Sequence, residues 1–377
     1  MTTPAEFTTL LKLMASQRAS DLFITAGMEP TMKVNGVLEK VGESPLTPQQ
    51  SRDLVLSVMT PAQREEFEKT HECNFAIGLA GVGRFRVSAF YQRNQVGMVL
   101  RRIETRIPTV EELNLPPIIK TLAMTKRGII IFVGGTGTGK TTSLAAMIGY
   151  RNQNSTGHII TIEDPIEFVH RHQGCIITQR EVGIDTDSWE NALKNTLRQA
   201  PDVIMIGEVR TREGMDHAIA FAETGHLVLC TLHANNANQA MDRIINFFPE
   251  DRRGQLLMDL SLNLKGVVAQ QLLPRVDGKG RRVATEILLG TPLVQDYIRD
   301  GEIHKLKEVM RDSTQLGMKT FDQCLFELHQ AGEISYEDAL KYADSQNEVR
   351  LKIKLAQGGD ARTLARGLDG VEVSEAR

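Results

Sequence analysis

R-G-I-I-I-F-V-G-G-T-G-T-G-K-T-T-S-L-A, residues 127–145, is the stretch whose reading decides the fold. Ile129 to Val133 is a short apolar run of the kind that forms a buried strand. Gly134, Gly135, Thr136, Gly137, Thr138 and Gly139 follow at once, and Lys140, Thr141 and Thr142 open a helical segment. The spacing G-x-x-x-x-G-K-T is that of a phosphate-binding loop. Glycines let the backbone curl so that successive N–H groups face inward, and the following helix adds the positive end of its dipole. Lys140 is then placed to reach the β- and γ-phosphates of a nucleotide, and the Thr141 hydroxyl to complete a Mg²⁺ shell. ATP and Mg²⁺ are therefore the expected cofactors.

Working outward, four apolar runs alternate with helical patterns, as in a parallel sheet covered on both faces: 128–133, 158–163, 203–207 and 227–231. Two of them end in acid, Ile-Ile-Thr-Ile-Glu163-Asp164-Pro165 and Val-Ile-Met-Ile-Gly207-Glu208. The carboxyl ends of strands line the ligand crevice of an open α/β sheet, so both acids are expected at the γ-phosphate. Glu163 is read as the general base for water and Glu208 as the metal-shell carboxylate, with Thr141. Local spacing leaves the exchange of these roles open, since each needs only an oxygen within hydrogen-bond reach. His233 lies just past the run 227–231, whereas His226 precedes it. Arg210, two residues from Glu208, is preferred over Arg198 as a phosphate or subunit-boundary arginine.

Residues 1–105 have a different pattern. G-V-G-R-F-R-V-S-A-F sets Phe85, Val87 and Ala89 on one side of a strand and Arg84, Arg86 and Ser88 on the other. Thr47-Pro48-Gln49-Gln50 and Thr60-Pro61-Ala62-Gln63 each carry a Thr cap, Pro in the first turn and Gln at the third position. A small α+β unit with a basic sheet face is expected. Arg84, Arg86 and Arg101 are candidates to reach a neighbouring subunit's phosphates; the alternative is a solvated face. The prolines at 108–117 mark a linker over 106–120, followed by the ATPase core at 121–290. Gln255 to Val268 is expected as one helix, from Leu256, Leu260, Leu264 and Val268. Trp189, Leu193 and Leu197, spaced by four, are expected as a packing stripe. Helices are expected over 291–357, and a mobile tail over 358–377, where periodicity gives way to Gly and charge.

Composition narrows the function. The net charge of −3 argues against a protein that coats nucleic acid. The four cysteines show no C-x-x-C and so encode no zinc site or disulfide framework. No apolar run approaches 18 residues. A RecA-superfamily DNA motor or recombinase is the alternative reading; it requires a basic DNA-facing loop in the nucleotide domain, where no strong basic run occurs.

Taken together, T-I-E-D-P-I-E-F (161–168), V-I-M-I-G-E-V-R (203–210) and T-G-H-L-V-L-C-T-L-H-A-N (224–235) resemble three boxes of the type IV pilus retraction ATPases: aspartate, Walker B and histidine. Those enzymes belong to the hexameric secretion-ATPase superfamily. A-S-D-L-F-I-T (19–25) and G-R-F-R-V-S-A-F-Y-Q-R (83–93) resemble that family's N-terminal domain. The resemblance implies a PAS-like N-terminal domain, a RecA-like core and a homohexameric ring in the cytoplasm, peripheral to the inner membrane. It implies ATP hydrolysis that drives pilus retraction and twitching motility through an inner-membrane platform protein. It assigns Lys140 and Thr141 to the nucleotide, Glu163 to catalysis, Glu208 to the Walker B position and His233 to the histidine box. Arg84, Arg86 and Arg101 fall in the region that supplies arginines in trans. The extension and type II secretion relatives usually carry a four-cysteine zinc insertion and a longer N-terminal region, and neither is expected here. The main retraction motors have A-I-R-N-L-I after a T-P; here Thr291-Pro292 leads into L-V-Q-D-Y-I-R-D. That departure, with the extension past residue 345, points to the accessory branch, whose members work beside a paralogous retraction motor.

Overall fold

A computed structural model describes residues 5–103 and 106–356. The tail expected at 358–377 lies outside the described residues. Contacts divide the chain into two units, one of Met1–Ile107, Ile160–His172 and Ile177–Asn195, the other of Pro108–Ile159, Gln173–Ile176 and Thr196–Arg377.

The first unit holds a six-stranded sheet. Its strands are β1 (Asp21–Ile24), β2 (Thr31–Val34), β3 (Val37–Lys40), β4 (Glu72–Leu79), β5 (Gly83–Gln92) and β6 (Gln95–Ile103), in the order β3-β2-β1-β6-β5-β4. Every adjacent pair is antiparallel. Two tight hairpins set its register. Asn35 and Gly36 join β2 to β3, and Arg93 and Asn94 join β5 to β6, all four with positive φ as a primed turn requires. Phe85, Val87 and Ala89 are buried, as their alternation demands, together with Leu22, Met98 and Leu100. Helices Pro48–Ser57 and Pro61–Thr70 begin with full capping boxes at Thr47 and Thr60.

A second sheet has seven strands: β7 (Gly128–Val133), β8 (Gly157–Glu163), β9 (Cys175–Glu181), β10 (Val203–Ile206), β11 (Leu227–Leu232), β12 (Leu264–Pro274) and β13 (Arg281–Leu289). Their order is β13-β12-β7-β11-β10-β8-β9. β7 lies parallel to β11 and β12, β10 is parallel to β11, and β13 runs antiparallel to β12. All residues of β7, β10 and β11 are buried, which explains why these strands read as unbroken apolar runs.

Two expectations are corrected. The helix read over 255–268 is Glu250–Asn263, and β12 starts at Leu264, which pairs with Ile129. Leu260, Leu264 and Val268 recur every four residues, a spacing that is also an even number and so equally keeps one face of a strand. The stripe Trp189–Leu193–Leu197 breaks: Leu193 is buried and Trp189 half-buried, but Leu197 is 41% exposed. The helix Trp189–Thr196 ends one residue earlier in a 3₁₀ turn, which swings Leu197 outward. Toward the C-terminus come helices Pro292–Arg299, Leu306–Asp312, Phe321–Gln330, Tyr336–Lys341 and Gln346–Ala356.

Candidate functional site

The phosphate loop is built at the carboxyl end of β7. Gly137 (φ 77°) and Gly139 (φ 88°) take the left-handed backbone that the curl requires, and Gly139 precedes the helix Lys140–Asn154. At Gly134 a Cβ would come within 2.4 Å of Thr138 Oγ1 and 2.7 Å of the Gln270 carbonyl oxygen. Only a glycine fits there. Thr138 Oγ1 donates to the Gly135 carbonyl at 2.9 Å and holds the curl closed. Lys140 is buried, and its Nζ donates to the carbonyls of Gly134 and Gly135, both at 2.8 Å. Burial lowers its pKa, with the charge of Glu208 acting the other way. Thr141 and Thr142 are half-buried at the first turn, while Thr136 and Gly137 are exposed at the tip. A curled glycine backbone, an ammonium at its mouth and a 15-residue helix behind it fit a polyphosphate.

Because β7, β10 and β11 are parallel, their carboxyl ends share one edge of the sheet. That edge carries the phosphate loop, Glu208 and His233. His233 Nε2 lies 3.1 Å from Glu208 Oε1, and Arg210 Nη2 lies 2.7 Å from Glu208 Oε2, so each carboxylate oxygen has its own partner. The Val209 N–H donates to the Thr231 carbonyl, and the Thr231 hydroxyl donates to the Gly207 carbonyl, which ties the loop after β10 to β11. His226 and Arg198 stand at the opposite ends of their strands. His226 Nδ1 is 3.0 Å from the Phe221 carbonyl oxygen, and Arg198 precedes β10.

Glu163 closes β8 and is 4% exposed. Burial pushes its carboxyl up to about 7, against hydrogen bonds from Thr161 and Gln179. In the N-terminal sheet, Arg86 Nε lies 3.6 Å from Glu181 Oε1, and Arg101 Nε lies 2.9 Å from Asp21 Oδ1. Arg84 faces Glu181 more distantly and opposes the upward shift that burial imposes on that carboxyl. These arginines already serve carboxylates of their own unit.

Several residues escaped the sequence reading. Gln270 of β12 is buried and donates from Nε2 to Ser143 Oγ at 2.8 Å, bracing the first turn of the loop's helix. Leu115, Leu272 and Arg281 join the loop residues Thr138, Gly139 and Thr142, which the motif already marks, in lining a cavity of about 430 Å³, a space beside the loop large enough for a nucleoside. Glu286 is a buried carboxylate that accepts from the Ala237 N–H at 2.8 Å and the Phe321 N–H at 3.4 Å. Gln270, Leu272 and Glu286 act across strand or helix contacts distant in sequence, and no local pattern announces them.

The sequence pattern of the family described as Type II/IV secretion system protein matches residues 7–354. The chain belongs to that family. Among these secretion proteins it is 68% identical over 368 residues to the type IV pilus ATPase PilU of Pseudomonas aeruginosa, covering 98% of this chain and 96% of that one. It is 40% identical over 338 residues to the type IV pilus retraction ATPase PilT of the same organism, covering 90% and 98%. The crystal structure of the pilus retraction motor PilT with bound ADP superposes with a TM-score of 0.83 at 39% identity, over 90% of this chain and 98% of the other. The secretion-family fold is thus a mixed α/β fold with a P-loop, of the PilT kind. Among the described residues no helix is long and apolar enough to cross a membrane.

Proposed function

We propose that the chain is a Mg²⁺-dependent ATPase that works in type IV pilus retraction and twitching motility. The observation that carries this is the phosphate loop closed around buried Lys140, in a chain so similar to PilU along almost its whole length. Lys140 and the N–H groups from Gly134 to Thr142 bind the polyphosphate. Thr141 and Glu208 are the protein's contribution to the Mg²⁺ shell. Among the described residues no group of three or more His, Cys, Asp or Glu is placed to hold a metal ion; Mg²⁺ bound with a nucleotide ordinarily takes phosphate and water oxygens as its further ligands. When bound, the metal ion supplies positive charge against the γ-phosphate.

Glu163, at the end of its strand and with its carboxyl pushed up to about 7 by burial, is assigned to take the proton of the attacking water. His233 and Arg210 bracket Glu208, fixing its carboxylate and giving the site groups that respond to the γ-phosphate. Arg84, Arg86 and Arg101 are the candidates from which an arginine would leave its own unit's carboxylate for a neighbouring subunit's nucleotide, in a homohexameric ring with a PAS-like N-terminal domain and a RecA-like core. Its closer likeness to PilU than to PilT supports an accessory ATPase beside a PilT-like motor. The place of action is the cytoplasmic face of the inner membrane, at the pilus platform protein.

The test is to measure ATP hydrolysis by the full chain and by Glu163→Gln. In parallel, pilus retraction is followed with and without the paralogous motor. Glu163→Gln should bind ATP and fail to turn it over. Turnover at the parent rate would reject the assignment of the base, and retraction indifferent to the chain would reject the pilus role.

A further inference from the structure

The carboxylate of Glu163 is held in a lopsided way. Both of its hydrogen bonds fall on one oxygen: Thr161 Oγ1 donates to Oε1 at 2.6 Å, and Gln179 Nε2 donates to the same atom at 3.1 Å. The described residues give Oε2 no donor. Thr161 is two positions back along β8, so it shares the face of the strand from which Glu163 projects. It is fully buried. Gln179 comes from β9, and its amide has one orientation only. Nε2 also donates to the Phe168 carbonyl at 2.9 Å, while Oε1 accepts from the His170 N–H at 2.7 Å. A flipped amide would set oxygen against two oxygens and an NH₂ against an N–H.

We propose that Thr161 and Gln179 are positioning residues that clamp Glu163 through Oε1 and turn Oε2 outward as the proton-accepting oxygen. This rests on the reading of Glu163 as the base that activates water. A base must be fixed in one rotamer and keep a free lone pair, and a clamp on a single oxygen meets both needs. The clamp also opposes protonation. Burial and the carboxylates of Glu167 and Glu181 all push Glu163 upward, and the two donors pull it back. Glu181 is itself faced by Arg86 and Arg84. Without the donors, Glu163 would carry its proton through neutral pH and stop accepting one.

The experiment is the pH dependence of kcat for Mg·ATP hydrolysis, from pH 5.5 to 9, on the full chain and its variants. Thr161→Val removes one donor at nearly constant volume. It should move the acidic limb to higher pH by about one unit, so that most activity is lost below pH 7. Gln179→Leu should move it the same way, and Thr161→Ser, which keeps the hydroxyl, should leave the limb in place. If Thr161→Val lowers kcat equally at every pH, the two residues are merely structural and the clamp is refuted, as it is if Thr161→Ser behaves like Thr161→Val. Glu163→Gln separates the two levels. If it is inactive while the limb of Thr161→Val stays put, only the clamp falls; if it hydrolyses ATP at the parent rate, the base assignment falls and takes the clamp with it.

Discussion

His233 Nε2 sits 3.1 Å from Glu208 Oε1, on the edge of the sheet that also carries the phosphate loop. Its partner carboxylate is shared with Arg210 on the other oxygen. The histidine is 37% exposed, so its bond to Glu208 adds little to folding and its value lies in aiming the carboxylate. His233→Ala should therefore lower kcat by roughly tenfold or more, with little change in thermal stability. Steady-state ATPase rates and melting curves on the same preparations check this. An unchanged kcat would remove His233 from the site.

Lys140→Ala should abolish the stabilisation that nucleotide confers. A ligand at a hundred times its Kd raises stability by about 2.7 kcal/mol. The parent protein should melt higher with Mg·ATP, and the variant should melt at one temperature with or without it. Without ligand the variant should be close to the parent. The lost hydrogen bonds to Gly134 and Gly135 are offset by relief from burying an ammonium. A nucleotide-induced shift that survives the substitution would place the phosphates elsewhere.

How much of this was legible in the chain follows from the range of the interactions. The phosphate loop needs only a strand, a curl and a helix in sequence, and Gly134 to Thr142 supply all three locally. The ends of β10 and β11 were readable for the same reason. An apolar run that stops at Gly207-Glu208 or before His233 announces where a buried strand meets polar surroundings. By contrast, Gln179, Gln270 and Glu286 act across strand pairings or helix contacts far along the chain, on Glu163, Ser143 and Ala237. A polar residue inside a strand looks like any solvent-facing position until its neighbours are known. The start of β12 is not legible in the sequence because a spacing of four serves a helix and one face of a strand alike.

Gly134→Ala tests the closeness of the loop to β12. The added methyl would meet Thr138 Oγ1 at 2.4 Å and the Gln270 carbonyl at 2.7 Å. The carbonyl belongs to a buried ladder and cannot swing aside. The expected cost is on the order of 1–3 kcal/mol, read as a lower denaturant midpoint at unchanged slope. ATP affinity should fall as well, because relief comes by shifting the loop. Gly137→Ala makes a useful comparison: a Cβ there meets nothing within 4 Å, and the cost arises only from its positive φ. If the two variants unfold alike, backbone conformation alone explains the glycine at 134.

Glu286 gives a pH dependence of stability with a definite sign. Burial raises its carboxyl to about 7 from an ordinary 4.5. Asp344 pushes the same way, while the Ala237 and Phe321 N–H groups and Lys307 push back. The folded-state pKa exceeds the unfolded one. The contribution is therefore fully present below about pH 4.5 and is lost as pH rises through about 7, where the buried group must ionise. Glu286→Gln keeps the shape and cannot ionise. Relative to the parent, it should gain stability between pH 5 and pH 8, by up to about 3 kcal/mol. Urea unfolding of both proteins at the two pH values measures it, the difference between them cancelling all other titrating groups. The opposite trend, with the parent gaining on the variant as pH rises, would mean that the two helix N-termini hold Glu286 ionised and outweigh its burial.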